Sequence, residues 1–277
     1  MPVALALLAS LIWGSADFVG ANTSKELAPS TVMLWSTLIA LPVLALVAVV
    51  SGDLVFDAAT MGWGLFAGVA GALGLTALYQ ALSTGVMGVV APISSTSVLV
   101  PVLVGVASGD ALSALQICGI VAAVLGIVLA GGPHIREFRT GGHLPILWAL
   151  AAALFIGLSL VGLAYGAETS SVSTLLCQRI VYVGVLVSIV LVTRAPRTPK
   201  ARHVAPLGAV GAGDITANGL FAVASRSGPL AVISVLASLY PVATVLLARQ
   251  LHHERLERIQ IAGVACAFAG VAAVVAG

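Results

Sequence analysis

The stretch SLYPVATVLL, residues 238–247, sets a proline inside an apolar run. A helix interior normally rejects proline, which removes a backbone donor and collides with the preceding turn. The same construction occurs earlier, in SVLVPVLVGV at 97–106. Sliding residues 88–108 forward by 140 positions superposes the two stretches. Gly88 then falls on Gly228, Ala91 on Ala231, Ile93 on Ile233, Ser94 on Ser234, Leu99 on Leu239 and Pro101 on Pro241. After a four-residue insertion the offset becomes 144, and Asp110 meets Glu254, Gln116 meets Gln260, Gly119 meets Gly263 and Gly126 meets Gly270. Gly71, Thr76 and Ala77 meet Gly211, Thr216 and Ala217 at the first offset. Proline, glutamine and glycine matching in order mark an internal repeat.

Composition states where such a repeat can fold. Of 277 residues, 60% are hydrophobic and only 8% charged, and the mean hydropathy is +1.14. A soluble domain carries about 25% charged residues, so the chain reads as an all-α integral membrane protein. A spanning helix needs roughly 17–25 apolar residues. Cutting at polar and turn-rich clusters gives ten such runs, at 3–21, 31–50, 60–82, 86–107, 111–131, 144–165, 172–193, 204–224, 229–248 and 259–276. The N-terminal MPVALALLASLIW lacks the basic start of a signal peptide and reads as a retained first helix.

Ten spans divide as five and five, with a first repeat at 1–132, a connecting loop at 133–143 and a second repeat at 144–277. An odd number of spans per repeat makes the second start on the opposite side from the first. The expected architecture is therefore two inverted five-helix repeats in one membrane domain. Lys25, Arg136, Arg139, Arg194, Arg197, Lys200, Arg202, Arg249, Arg255 and Arg258 all fall on one side of this cut, against Arg226 alone on the other. Basic residues in short loops mark the cytoplasmic face. The loops 132–143, 194–203 and 249–258 are expected there, with both termini outside, in a multi-pass protein of the cell inner (cytoplasmic) membrane.

Inverted repeats that meet at the midplane, with interrupted helices at matching positions, point to a solute site. Pro101 and Pro241 are accordingly expected to kink their helices at a cavity, freeing a carbonyl near Ser97 and Ala237. Charges inside spans are costly and face a cavity or a partner. Three qualify: Asp17, Arg179 and Asp214. Asp214 lies in the middle of the eighth span, with Asn218 one turn on. It reads either as a proton-coupling carboxylate or as the partner of Arg179. Asp17 lies towards the basic end of the first span, within reach of interfacial water. Arg179 reads as an ion-pair or gate residue. Ser94 and Ser97 offer hydroxyls to a cavity or to helix packing. Trp13, Tyr79, Gln80 and Tyr240 complete the candidate lining, with packing or an interfacial belt as their alternative roles. Gly119/Gly126 and Gly263/Gly270, seven apart, read as close helix contacts.

LIWGSADF in the first run, VISVLASLYPVATVLLARQLHHERLERIQIAGVACAFAGVAAV at the end, and its echo APISSTSVLVPVLVGVASGDALSALQICGIVAAVLGIVLA resemble the EamA-type transporters of the drug/metabolite transporter superfamily. The resemblance spans nearly the whole chain in two copies. The glycine usual before the closing glutamate is absent, and His253 stands there; the first repeat has Gly109-Asp110. Arg179 matches an arginine many members carry in the second helix of a repeat, while Trp35 stands at that place in the first. The resemblance implies ten helices, a central cavity and carrier-type transport of small organic metabolites or drugs.

Other function classes find little support. No paired catalytic carboxylates, metal-spaced His/Glu set or Ser–His arrangement lies within the spans, and His134, His143, His203, His252 and His253 fall at loops or helix ends. Cys118, Cys177 and Cys266 each sit in an apolar run, spaced neither for a metal nor for a disulfide framework. No cofactor, metal, nucleotide-binding loop or nucleic-acid surface is expected. The leading expectation is a secondary transporter working by alternating access, in the direction of export. A small-multidrug-type exporter of cations, coupled to protons through Asp17, is the alternative. An intramembrane enzyme or a scaffold protein ranks behind both. The expected partners are the lipid bilayer, a small solute and, on the coupled reading, protons.

Overall fold

The computed structural model describes residues 1–84, 90, 93–130, 143–193, 199–252 and 257–277. Among these residues every regular element is helical. The helices are α1 (Pro2–Thr23), α2 (Pro29–Ser51), α3 (Ala58–Thr84), α4 (Leu99–Ala107), α5 (Ala114–Ala130), α6 (His143–Thr193), α7 (Ala201–Ser225), α8 (Leu230–Ala237), α9 (Tyr240–His252) and α10 (Arg258–Ala276), with a 3-10 turn at Thr96–Val98 ahead of α4. Among the described residues six helices are long and apolar enough to cross a membrane. The chain is a multi-pass membrane protein. Of the expected connecting loop 133–143, His143 begins α6, while residues 133–142, with Arg136 and Arg139, lie outside the described residues, as do Arg194, Arg197, Glu254 and Arg255.

Local chemistry sets the helix ends. α1 and α2 open on Pro2 and Pro29, where the missing N–H would have had no intrahelical partner. α2 ends on Gly52 at φ +67°, a left-handed stop that suits glycine. Asp57 caps α3 by accepting the amides of Ala59 and Thr60, and it also accepts the Thr60 hydroxyl at 2.5 Å. The Thr60 hydroxyl and these amides hold the Asp57 carboxyl below its ordinary value of 3.8.

One separator holds in shortened form, and one run divides. The expected separator GAETS at 166–170 is a break between two helical arms, shorter than its polar residues suggest: the chain stays helical to Thr169, and Ser170 leaves the helical region, at φ −148° and ψ 111°. Ser170 does what an N-cap does: its hydroxyl accepts the Ser173 amide and donates to the Asp53 carbonyl at 2.9 Å. The arms 143–169 and 171–193 thus form one folded-back element. The ninth run, 229–248, is not one helix but α8 and α9, parted at Ser238 and Leu239.

The expected proline kinks take the form of breaks just ahead of each proline. Pro101 is the third residue of α4 and Pro241 the second of α9, both in a first turn, where a missing donor is harmless. At offset 140 the 3-10 turn Thr96–Val98 falls on residues 236–238, so the two breaks overlap at Val98 and Ser238. Each leaves a bent apolar helix, Ile93–Ala107 and Leu230–Thr244.

Glycine carries much of the packing, as expected where lipid offers no hydrophobic drive between helices. α3 lies against both arms of α6: a Cβ on Gly68 would stand 2.6 Å from the Gln178 carbonyl, and one on Gly74 2.7 Å from the Ile156 amide. α5 and α10 interlock reciprocally. Gly119 faces the Gly270 carbonyl and Gly126 the Gly263 carbonyl, each at 2.7 Å from a built Cβ. Gly270 and Gly263 return these contacts at 2.6 and 2.8 Å. Since the repeat matches Gly119 with Gly263 and Gly126 with Gly270, each glycine meets the counterpart of its own neighbour. That reciprocity is the signature of a two-fold relation between antiparallel helices.

Two outcomes are expected. Gly126→Val or Gly263→Val drives a Cβ into facing backbone and costs more than about 3 kcal/mol, read as loss of monodisperse protein in detergent; Gly62→Val, with nothing within 4 Å, is tolerated. Asp57→Ala frays the start of α3 and lowers the melting temperature at neutral pH. The wild-type contribution is present above the ordinary aspartate value and lost as pH falls through the depressed one, so the variant loses less stability on acidification.

Candidate functional site

A cavity of about 820 Å³ lies between the two halves of the chain. The first half lines it from α1 (Trp13, Asp17, Gly20), α2 (Ser30, Met33), α3 (Gly71, Leu75) and Ser97; the second from both arms of α6 (Ser159, Gln178, Arg179, Tyr182), α7 (Asp214, Asn218), Ser238 and Tyr240. Its rim includes Ser24, Pro29 and Ser30, so it reaches the end of the bundle where α1 passes into α2. The opposite end lies where a Cβ on Gly228, just before α8, would come within 3.4 Å of Pro2. At the rim Glu26 accepts a 2.6 Å bond from Arg202 and stands 3.0 Å from His203 Nε2. The bond from His203 and the charge of Arg202 hold the Glu26 carboxyl below its ordinary 4.5.

The floor is an ion-pair network. Arg179 Nη1 stands 2.6 Å from Asp214 Oδ2, with the arginine side chain 5% exposed and the aspartate 30%. The other oxygen, Asp214 Oδ1, accepts from the Trp13 indole at 3.1 Å and from Asn218 Nδ2 at 3.0 Å. The Arg179 guanidinium lies 5.6 Å over the Tyr182 ring, and Trp13 packs edge-on to Tyr240 and tilted against Phe221. Four elements meet here: α1, α6, α7 and α9. They approach closely because small residues face one another. A Cβ on Gly213 would lie 3.0 Å from Ala16, and one on Gly14 would lie 2.6 Å from Ala243.

Asp17 stands apart from this network. It follows Trp13 by one helical turn, on the same face. Its side chain is exposed on the cavity wall, with no hydrogen-bond partner among the described residues. The described ionisable side chains lining the cavity beyond the tyrosines are therefore one arginine and two aspartates, and one carboxylate has no counter-charge.

The structure brings Trp13, Asp17, Ser97, Arg179, Asp214, Asn218 and Tyr240 to one cavity. Ser94 is buried but does not line it. Gln80 is exposed near the end of α3, and the Tyr79 side chain lies outside what the structure describes. Pro101 and Pro241 do not line the cavity; the residues just before them, Ser97, Ser238 and Tyr240, do. Sequence reasoning missed Ser159, Gln178 and Tyr182. Gln178 donates to Ser159 at 3.3 Å, and Ser159 donates to the Ala67 carbonyl at 2.7 Å. Their signal was available, as polar residues inside apolar runs with Tyr182 one turn from Arg179.

No curated protein matches the chain. Among solved structures, a protein 15% identical, covering 98% of this chain and 95% of its own, superposes with a TM-score of 0.84 and shares the fold. The family model described as the EamA-like transporter family matches twice, over residues 1–132 and 143–276. Two family matches that together take in nearly all the chain, on a helical bundle with a cavity between its halves, lead to one assignment: the chain belongs to the EamA-like transporter family.

Proposed function

We propose that this protein is a secondary transporter that carries small organic solutes across the inner membrane by alternating access, in the direction of export. The observation that carries the reading is the cavity: both halves line it, it reaches one end of the bundle, and charged groups meet at its floor. Family membership supports transport rather than catalysis. In the proposed topology α6 supplies two spans and the bent helices two more, giving ten in two inverted repeats. The reciprocal glycine contacts of α5 and α10 support the inversion. Lys25, Lys200 and Arg258 lie at the end that carries the mouth, so the positive-inside rule makes that end cytoplasmic. The described conformation is then open to the cytoplasm, ready to load a solute for export.

A second reading is favoured by one observation, the uncompensated Asp17. An ionised carboxylate in a largely apolar cavity holds a cation or takes up a proton. The aromatic faces of Trp13 and Tyr240 nearby suit an organic cation. On this reading Asp17 exchanges a protonated or quaternary amine for a proton, while Arg179 and Asp214 brace the site.

Uptake and efflux in proteoliposomes, against amino-acid, nucleoside and organic-cation panels with and without a pH gradient, test both readings. Asp17→Asn is expected to reach the membrane at normal levels and to lose the dependence of flux on the pH gradient. Unchanged pH-driven flux in that variant would sink the coupling role. Asp214→Asn is expected to lower expression and detergent stability, because it leaves Arg179 buried and unpaired, a defect worth about 3–5 kcal/mol. Arg179→Gln in the same chain should partly restore both. A well-expressed single Asp214→Asn protein would show that the pair is dispensable for folding.

A further inference from the structure

The transport reading calls for the end of the bundle opposite the mouth to open in turn, and the contacts closing it are specific. α4 ends at Ala107 and is followed by a tight turn in which Gly109 takes φ +101°. The Asp110 amide folds back to the Gly105 carbonyl at 3.0 Å, which fixes the Asp110 side chain beside the helix end. From there Asp110 Oδ2 accepts the Ala231 amide at 2.9 Å. Ala231 lies in the first turn of α8, where amides have no intrahelical acceptor, and the cap residue Pro229 has no side-chain acceptor to offer it. An acidic group from the first half of the chain thus caps a helix of the second.

The same turn makes a second tie. The Ser108 hydroxyl lies 2.6 Å from the Tyr165 hydroxyl, near the bend of α6. Gly105 makes room for the first tie: a Cβ there would stand 2.8 Å from the Ala231 amide and would collide with the Asp110 carboxylate. Residues 105–110 therefore grip α6 and α8 at once, at the Pro2 end of the bundle. Both ties join the two halves, and both are directional hydrogen bonds that break over a short displacement. The ties hold α4 to the half that must move away when this end opens.

We infer that residues 105–110 form the strap that closes the non-mouth end of the cavity, and that Asp110 and the Ser108–Tyr165 pair are its releasable ties. The inference rests on the transport reading for its purpose, but its geometry is tested without any solute. In a background lacking the native cysteines, Ser97→Cys places a thiol on the cavity wall. An impermeant maleimide is added to membrane vesicles on the side where Met1 lies. Asp110→Ala is expected to raise the labelling rate roughly fivefold, the effect of losing one helix cap from the closed state. Tyr165→Phe, which removes only a hydroxyl, is expected to raise it by a smaller factor, and the double variant by more than either. Labelling from the mouth side should fall in parallel. Parental labelling rates in well-folded Asp110→Ala and Tyr165→Phe would overturn the strap. If Asp110→Ala fails to reach the membrane, Tyr165→Phe decides alone. Altered labelling with no flux of any solute would retain the strap and remove the transport reading, so the two fail separately.

Discussion

An arginine buried at 5% exposure inside an apolar bundle is tolerated only if something answers its charge. Asp214 does so, and much of the site is arranged by that requirement. The carboxylate has to sit where its second oxygen is also satisfied, which recruits Trp13 from α1 and Asn218 from one turn along α7. The guanidinium's flat face then rests over Tyr182. Because the partners come from α1, α6 and α7, the pair sets how closely these helices can stand. Ala16 and Gly213 let α1 and α7 stand that close, and Gly14 and Ala243 do the same for α1 and α9. With Arg179 and Asp214 answering each other, Asp17 is the carboxylate left to face the cavity.

The fold was legible where apolar length and turn chemistry carried it. Runs at 3–21, 31–50, 60–82, 204–224 and 259–276 correspond to α1, α2, α3, α7 and α10 within three residues at either end. Polar clusters at span ends leave little freedom, because a charged residue moved into lipid is costly. GAETS marked a real break, though a shorter one than its polar residues suggest, because the chain stays helical as far as Thr169. In the fold the Ser170 hydroxyl folds back onto the backbone and lets the helix resume. In the ninth run the proline marked the helix interruption but not which side of it the break falls on. Its place in the first turn of α9 follows from its missing donor, an argument available in the sequence but outweighed by the continuous apolar run.

The site was legible by charge and illegible by face. Asp17, Arg179 and Asp214 stood out because intramembrane charges are rare. Ser159, Gln178 and Tyr182 did not, because membrane helices are apolar on every side and give no amphipathic stripe to say which direction faces the interior. The pairing of Arg179 with Asp214 could be named as one of two alternatives, since both lay within spans; choosing between them needed the distance. For Asp17 the position near a span end left interfacial water and the cavity both open, and the bundle places it on the cavity wall at the end where the mouth opens.

The interlock of α5 and α10 limits what kind of motion the halves can make. Glycines at two levels, seven residues apart on each helix, bring backbone against backbone with no side chain between. Sliding one helix along the other by a single residue would bring Cβ atoms to the places the glycines keep clear, so translation is blocked. Rotation about the contact keeps every glycine opposite its partner. The two contacts define a line along the helices, so the pair suits a hinge pin more than a rail, and a small turn about that line becomes a large displacement at the far wall of the cavity.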